Sequence, residues 1–144
     1  IYDENGWLQE IKGELHSNGQ TTEKVLRSYT YDTYGKVKEI KDYRNLLKDS
    51  DQAVQKVYTY DSFDRVKEMI YTDLETGKVM ESYQYSYDKN SNITKKTQVN
   101  NYPKEDADKV NETKVYTYDT LGRLIKTVTT DHKKDDKTKT EKQL

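Results

Sequence analysis

Tyr116-Thr117-Tyr118-Asp119-Thr120-Leu121-Gly122-Arg123-Leu124 decides the fold, because the chain writes this phrase several times over. It appears as Tyr29-Thr30-Tyr31-Asp32-Thr33-Tyr34-Gly35-Lys36-Val37 and again as Tyr58-Thr59-Tyr60-Asp61-Ser62-Phe63-Asp64-Arg65-Val66. A looser copy is Tyr85-Ser86-Tyr87-Asp88-Lys89-Asn90-Ser91-Asn92-Ile93, and a partial one is Tyr2-Asp3-Glu4-Asn5-Gly6-Trp7-Leu8. The aspartates stand at 3, 32, 61, 88 and 119, which by subtraction gives spacings of 29, 29, 27 and 31. A fixed period of this size is the mark of a repeat architecture.

Each unit has a physical reading. Tyr-Thr-Tyr alternates with period two, placing both rings on one face of a half-buried strand. Asp-x-x-Gly suits a type I turn, with Asp at its first position and Gly at its fourth. The carboxylate can also accept a bond from the backbone two residues on. Asp64 and Ser91 replace the glycine in two copies. Asp tolerates a left-handed backbone, so the third copy is expected to keep its turn and the fourth to be the loosest. A second strand follows each turn, as in Arg123 to Thr130.

Between units lie polar segments, His16–Gln20, Asp42–Gln52, Asp73–Lys78 and Asn100–Asn111, expected to be longer loops. Leu46-Leu47 is the one place where a short helical turn is expected. The sum is an all-β protein, an antiparallel meander of tandem hairpins with about ten strands in one curved sheet. Five repeats are expected over 1–130, and 131–144 is a charged tail or the start of the next hairpin. The apolar residues five after Asp (Leu8, Val37, Val66, Ile93, Leu124) and eight after it (Ile11, Ile40, Met69) fall on opposite faces of a regular strand. Either both faces are covered or a β-bulge shifts the phase.

Composition limits the function. The 25 basic and 26 acidic residues nearly cancel, which speaks against binding nucleic acid, where excess positive charge displaces counterions. Hydrophobic residues make up 31% and include 14 tyrosines, so the aliphatic core is thin. Burying an apolar side chain gives about 1.5–3 kcal/mol, against about 1–2 kcal/mol to order each residue's backbone. The absence of cysteine removes disulfides, a thiol nucleophile and thiolate-bound zinc. No apolar run approaches the roughly 20 residues of a membrane span, so no membrane insertion is expected. The opening at Ile1-Tyr2-Asp3 falls within a repeat, and the sequence is expected to be a piece of a larger protein.

Tyr-x-Tyr-Asp-x-x-Gly-Arg-Leu, as at Tyr116 to Leu124, resembles the signature of the YD repeat of RHS proteins. These include bacterial RHS and wall-associated proteins, shell components of insecticidal toxin complexes, and teneurins. The resemblance covers essentially the whole sequence. It implies a secreted or cell-surface protein, bacterial in keeping with the Lys-, Asn- and Thr-rich usage, whose β-sheet spirals into a shell that can enclose a C-terminal toxin. It also implies purely structural roles for the motif residues. Tyr29, Tyr31, Tyr58, Tyr60, Tyr85, Tyr87, Tyr116 and Tyr118 would pack on the sheet, while Asp32, Asp61, Asp88 and Asp119, with Gly35 and Gly122, would hold the turns. The expected partners are neighbouring repeats and an enclosed toxin domain. The self-cleavage core that ends bacterial shells has no counterpart here, and five units are too few to close one.

Chemistry finds little footing. His16 and His132 sit in separate polar segments without convergent partners. Asp49-Ser50-Asp51 and Asp106-Ala107-Asp108 lack the glycine and terminal glutamate of a calcium loop. No phosphate-cradling glycine loop and no Gly-x-Ser-x-Gly elbow occurs. No enzyme activity and no cofactor are therefore expected. The tyrosines are the one functional alternative, since rows of rings can bind a glycan or a surface protein. Trp7 and Tyr34, beside turns, are the rings expected to be exposed for that.

Overall fold

A computed structural model describes residues 1–43, 53–103, 105–133 and 139–144. These form ten strands: β1 (Glu10–Ser17), β2 (Gln20–Tyr31), β3 (Val37–Asp42), β4 (Val54–Tyr60), β5 (Val66–Asp73), β6 (Val79–Tyr87), β7 (Ile93–Asn100), β8 (Val110–Tyr118), β9 (Leu124–Asp131) and β10 (Lys139–Gln143). They lie in sequence order in one open antiparallel sheet, each hydrogen-bonded to the next. The meander expected from the repeat is the fold observed. The sole helical element among the described residues is a single 3-10 turn at Asp106–Asp108.

By compactness the protein divides into two units, 1–58 with 71–78, and 59–70 with 79–144. The first holds β1 to β3 and most of β4. The second holds β6 to β10 and most of β5. Leu46-Leu47, where a helical turn was expected, lies outside the described residues.

The strands alternate as Tyr-Thr-Tyr demands. Tyr29, Tyr31, Tyr58, Tyr60, Tyr85, Tyr87, Tyr116 and Tyr118 are half-buried, while Thr30, Thr59, Ser86 and Thr117 between them are exposed. Nothing among the described residues covers the sheet tightly. Among the described residues only Ala53 and Asp73 are buried, at 7% and 6% exposure, and no side chain is fully enclosed. Stability must come from cross-strand pairs and turn bonds spread along the sheet, in place of a central core.

The phase question resolves as a bulge. Tyr31 pairs with Val37 and Thr30 with Glu39, which leaves Lys38 without a partner in the ladder. The same slip separates Tyr87–Ile93 from Ser86–Lys95, and Tyr118–Leu124 from Thr117–Lys126. One extra residue in each of these three second strands restores the phase, so Val37 and Ile40 lie on one face, paired across the ladder with Tyr31 and Tyr29.

At the other end of the hairpins the connections differ from one another. His16–Gln20 is not a longer loop. His16 belongs to β1, Ser17 pairs with Gln20, and Asn18 and Gly19 alone make the turn, at φ 51° and 73°. Two positive φ values in a two-residue loop define a type I′ turn, for which Asn-Gly is the preferred pair. After β5, the Asp73 carboxylate accepts the N–H groups of Glu75 and Thr76 at 2.8 and 3.0 Å. Beyond β9, β10 pairs Lys139–Gln143 with Thr130–Lys126, so part of the charged tail is a strand.

Candidate functional site: the repeated turn and its tyrosine latch

The five motif copies build one geometry. In each, the aspartate's Oδ1 accepts two backbone N–H groups, from the residues two and four places on. For Asp3 these are Asn5 and Trp7, both at 2.9 Å. For Asp32 they are Tyr34 and Lys36 at 2.9 Å, and for Asp61 they are Phe63 and Arg65 at 2.9 and 3.0 Å. For Asp88 they are Asn90 and Asn92 at 2.8 and 2.9 Å, and for Asp119 they are Leu121 and Arg123 at 3.0 and 2.9 Å. Backbone bonds close the loop twice more, as where Gly122 donates to the Asp119 carbonyl and Asp119 to that of Arg123.

The fourth turn position takes a left-handed backbone in every copy: Gly6 at φ 78°, Gly35 at 82°, Asp64 at 63°, Ser91 at 66° and Gly122 at 77°. Asp64 keeps the turn as expected. The fourth copy, expected to be the loosest, is as fully bonded as the others. Its Asn92 amide adds a bond to Asp88 Oδ2 at 2.9 Å, which offsets the strain at Ser91.

That extra bond marks a position whose role the sequence reading did not assign. The residue four after Asp is a side-chain donor in four copies. Arg65 Nε and Arg123 Nε each reach their aspartate's Oδ2 at 2.7 Å, and Lys36 Nζ lies 3.5 Å from that of Asp32. The signal was present in the recurrent Lys36, Arg65, Asn92 and Arg123. Electrostatics follow from these bonds. The Arg65 side chain holds the Asp61 carboxyl below its ordinary range, and the Asn92 amide does so for Asp88. The Arg123 N–H and guanidinium lower Asp119. At Asp32, burial pushes the group up, but the N–H groups of Lys36 and Tyr34 win.

In three copies the second tyrosine of the motif ties its repeat to the one before it. Tyr31 Oη donates to the Leu8 carbonyl at 2.6 Å, Tyr87 Oη to that of Val66 at 2.6 Å, and Tyr118 Oη to that of Ile93 at 2.8 Å. Every acceptor is the aliphatic residue five after the preceding aspartate. Burial pushes the pKa of all three phenols up, keeping them neutral to higher pH than an ordinary tyrosine. Arg65 adds a second tie, from its own turn to the Asp88 carbonyl at 3.0 Å, with its guanidinium 4.5 Å from the centre of the Tyr87 ring.

Trp7 corrects an expectation. It is half-buried, its ring 5.4 Å from that of Tyr31, and it packs so closely on Gly35 that a Cβ there would lie 2.9 Å from Trp7 Cζ2. The indole fills space that the missing Gly35 side chain leaves, so only part of it faces solvent. An open groove of about 430 Å³ brings together Trp7, Tyr29, Tyr31 and Asp32. Tyr34 is 85% exposed, and so at the same turn position are Phe63 and Leu121, each at 76%.

The polar candidates stay apart. His16 Nδ1 lies 2.8 Å from Thr21 Oγ1, and His132 Nε2 lies 2.9 Å from Thr113 Oγ1. Asp106 is engaged by Lys109 Nζ at 2.5 Å. Asp49-Ser50-Asp51 lies outside the described residues. Among the described residues no three His, Asp or Glu side chains converge on a metal-sized site, and no helix is long and apolar enough to cross a membrane.

No family model and no curated protein matches the sequence. Solved structures do. A TcdB2-TccC3-Cdc42 structure matches at TM-score 0.67 and 21% identity over 98% of this chain. A Photorhabdus luminescens Tc holotoxin pore matches at TM-score 0.53 and 18% identity over 99%. TcdB2-TccC3 without its hypervariable C-terminal region matches at TM-score 0.53 and 17% identity over 96%. The protein described here spans only 7% to 8% of the length of those chains. It has the fold of a section of toxin-complex proteins, in agreement with the motif.

Proposed function

We propose that this protein, with its YD-repeat motif and the fold of a toxin-complex section, is a non-catalytic length of wall in a large exported bacterial protein. Its partners are the repeats on either side of it. In the parent protein, on this reading, the wall closes around a C-terminal toxin domain. One observation carries the reading: the recurring residues act on the sheet itself. Asp closes the turn, the residue four places on braces that Asp, and Tyr holds the preceding repeat. A ligand site would draw some recurring polar group away from the sheet. The competing expectation, surface binding through Trp7 and Tyr34, has less support, because Trp7 is engaged with Tyr31 and Gly35.

The test is limited proteolysis of the full parent protein. A C-terminal domain that resists protease until the repeats are opened by mild denaturant supports enclosure. Immediate cleavage of that domain, with the repeats intact, overturns it.

A further inference from the structure

Asn-Gly is the dipeptide most prone to spontaneous deamidation, since glycine leaves the following backbone nitrogen sterically free to attack. The described residues hold two, Asn5-Gly6 and Asn18-Gly19, and the related Asn90-Ser91. All three asparagines are exposed. What separates them is the nitrogen that must react. The Gly6 N–H donates to the Asp3 carbonyl at 3.0 Å, and the Ser91 N–H donates to that of Asp88 at 3.1 Å. Both bonds belong to the motif turn. The Gly19 N–H, at the tip of the two-residue turn between β1 and β2, has no hydrogen-bond partner among the described residues.

We propose that Asn18 is a site of spontaneous deamidation in the folded protein, and that the motif turn protects Asn5 and Asn90 from the same reaction. Base takes the proton from the Gly19 nitrogen, which attacks Asn18 Cγ. A new bond between that nitrogen and Cγ closes a five-membered succinimide. The bond from Cγ to Nδ2 breaks, and Nδ2 leaves as ammonia with a proton from solvent. Water then opens the ring at either carbonyl, giving aspartate or isoaspartate. No oxidant, reductant or cofactor takes part.

The consequence falls on the β1–β2 hairpin. Aspartate tolerates the left-handed backbone that Asn18 holds at φ 51°. Isoaspartate inserts an extra backbone carbon into a turn that has only two residues with which to join Ser17 to Gln20. The isoaspartate product should therefore loosen the β1–β2 pairing, while the aspartate product keeps it and adds one negative charge to the sheet margin.

The experiment uses the intact protein, incubated in mildly alkaline buffer and then digested with trypsin. Asn5 and Asn18 separate into the peptides Ile1–Lys12 and Gly13–Lys24, and mass spectrometry reads the replacement of amide by acid in each. A net hydrogen bond of about 1 kcal/mol corresponds to roughly five-fold protection, so Asn18 should convert at least about five-fold faster than Asn5. A parallel incubation in concentrated urea should bring the two rates together. Equal rates in the folded protein, or faster loss of Asn5, overturn the proposal. So does a gap of the same size in urea, which would trace the difference to local sequence and not to the turn.

Discussion

The two ends of the hairpins repeat to different degrees. At the motif end, five turns share one set of bonds, and three of the hairpins they open are tied to the next repeat by tyrosine, one of them by arginine as well. At the other end Asp73, Asn100 and Asp131 each accept the N–H two places on, but the described connections differ in length and shape: a two-residue Asn18-Gly19 turn, a loop of Asp73–Lys78, and a segment with a 3-10 turn at Asp106–Asp108. The sheet is therefore pinned along one margin and varied along the other. With a sheet this thinly covered, the pinned margin must supply much of what a core supplies in a globular domain, and loops carried on such a scaffold are free to diverge.

The largest effect expected from one side chain is at the pinned margin. Asp61→Ala removes the acceptor of two N–H groups and the partner of Arg65, and should lower the unfolding midpoint more than any single change at the varied margin. Asp61→Asn keeps an acceptor oxygen and should cost less. Thermal melts followed by circular dichroism check both. If Asp61→Ala melts like a loop variant, the contrast between the margins fails.

Glycine substitutions sharpen the contrast within the motif. Gly122→Ala meets open space and carries only the left-handed penalty, about 1–2 kcal/mol. Gly35→Ala carries that penalty and also drives a Cβ toward Trp7, so its loss should exceed that of Gly122→Ala by about 1 kcal/mol or more. Trp7→Ala combined with Gly35→Ala should remove the excess. If the two glycine variants match, Trp7 does not constrain the turn.

Acid should release the pinned margin. Asp32, Asp61, Asp88 and Asp119 all ionise below their ordinary value in the fold. A carboxyl lowered on folding stabilises the folded state above its unfolded value, near pH 4. That contribution disappears as pH falls through the lower folded values. Midpoints measured across that range should fall with pH, and the fall should shrink in Asp61→Asn. An unchanged fall in the variant breaks the assignment.

The sequence made the repeating part of this molecule legible and left the exceptions illegible. Period, strand alternation and turn all follow from Tyr-x-Tyr-Asp-x-x-Gly, because backbone geometry and one carboxylate determine them locally. Ser91 misled because its left-handed penalty is visible in the sequence, whereas the Asn92 bond that offsets it is visible only as the same position that holds Arg65 and Arg123. Trp7 misled for another reason. Its contacts, Tyr31 and Gly35, belong to the next repeat, and proximity across a sheet cannot be read from a residue's own neighbours. The bulge was one of two readings that alternation allowed, and only the ladder register decided between them.

The smallest effect separates the two tyrosines of a single motif. Tyr118 Oη donates to the Ile93 carbonyl, while the Tyr116 hydroxyl has no such bond to the preceding repeat among the described residues. Tyr118→Phe should therefore cost about 0.5–1.5 kcal/mol, and Tyr116→Phe, which keeps its ring on the sheet, close to nothing. Burial holds the Tyr118 phenol neutral to higher pH than an ordinary tyrosine. Its contribution is complete below about pH 10, where a free tyrosine ionises, and is lost as pH rises through the folded value. Following phenolate absorbance and the melting midpoint together should show Tyr118→Phe removing part of the alkaline loss and Tyr116→Phe leaving it in place. Equal behaviour of the two variants would mean that the rings, and not the hydroxyl, hold one repeat to the next.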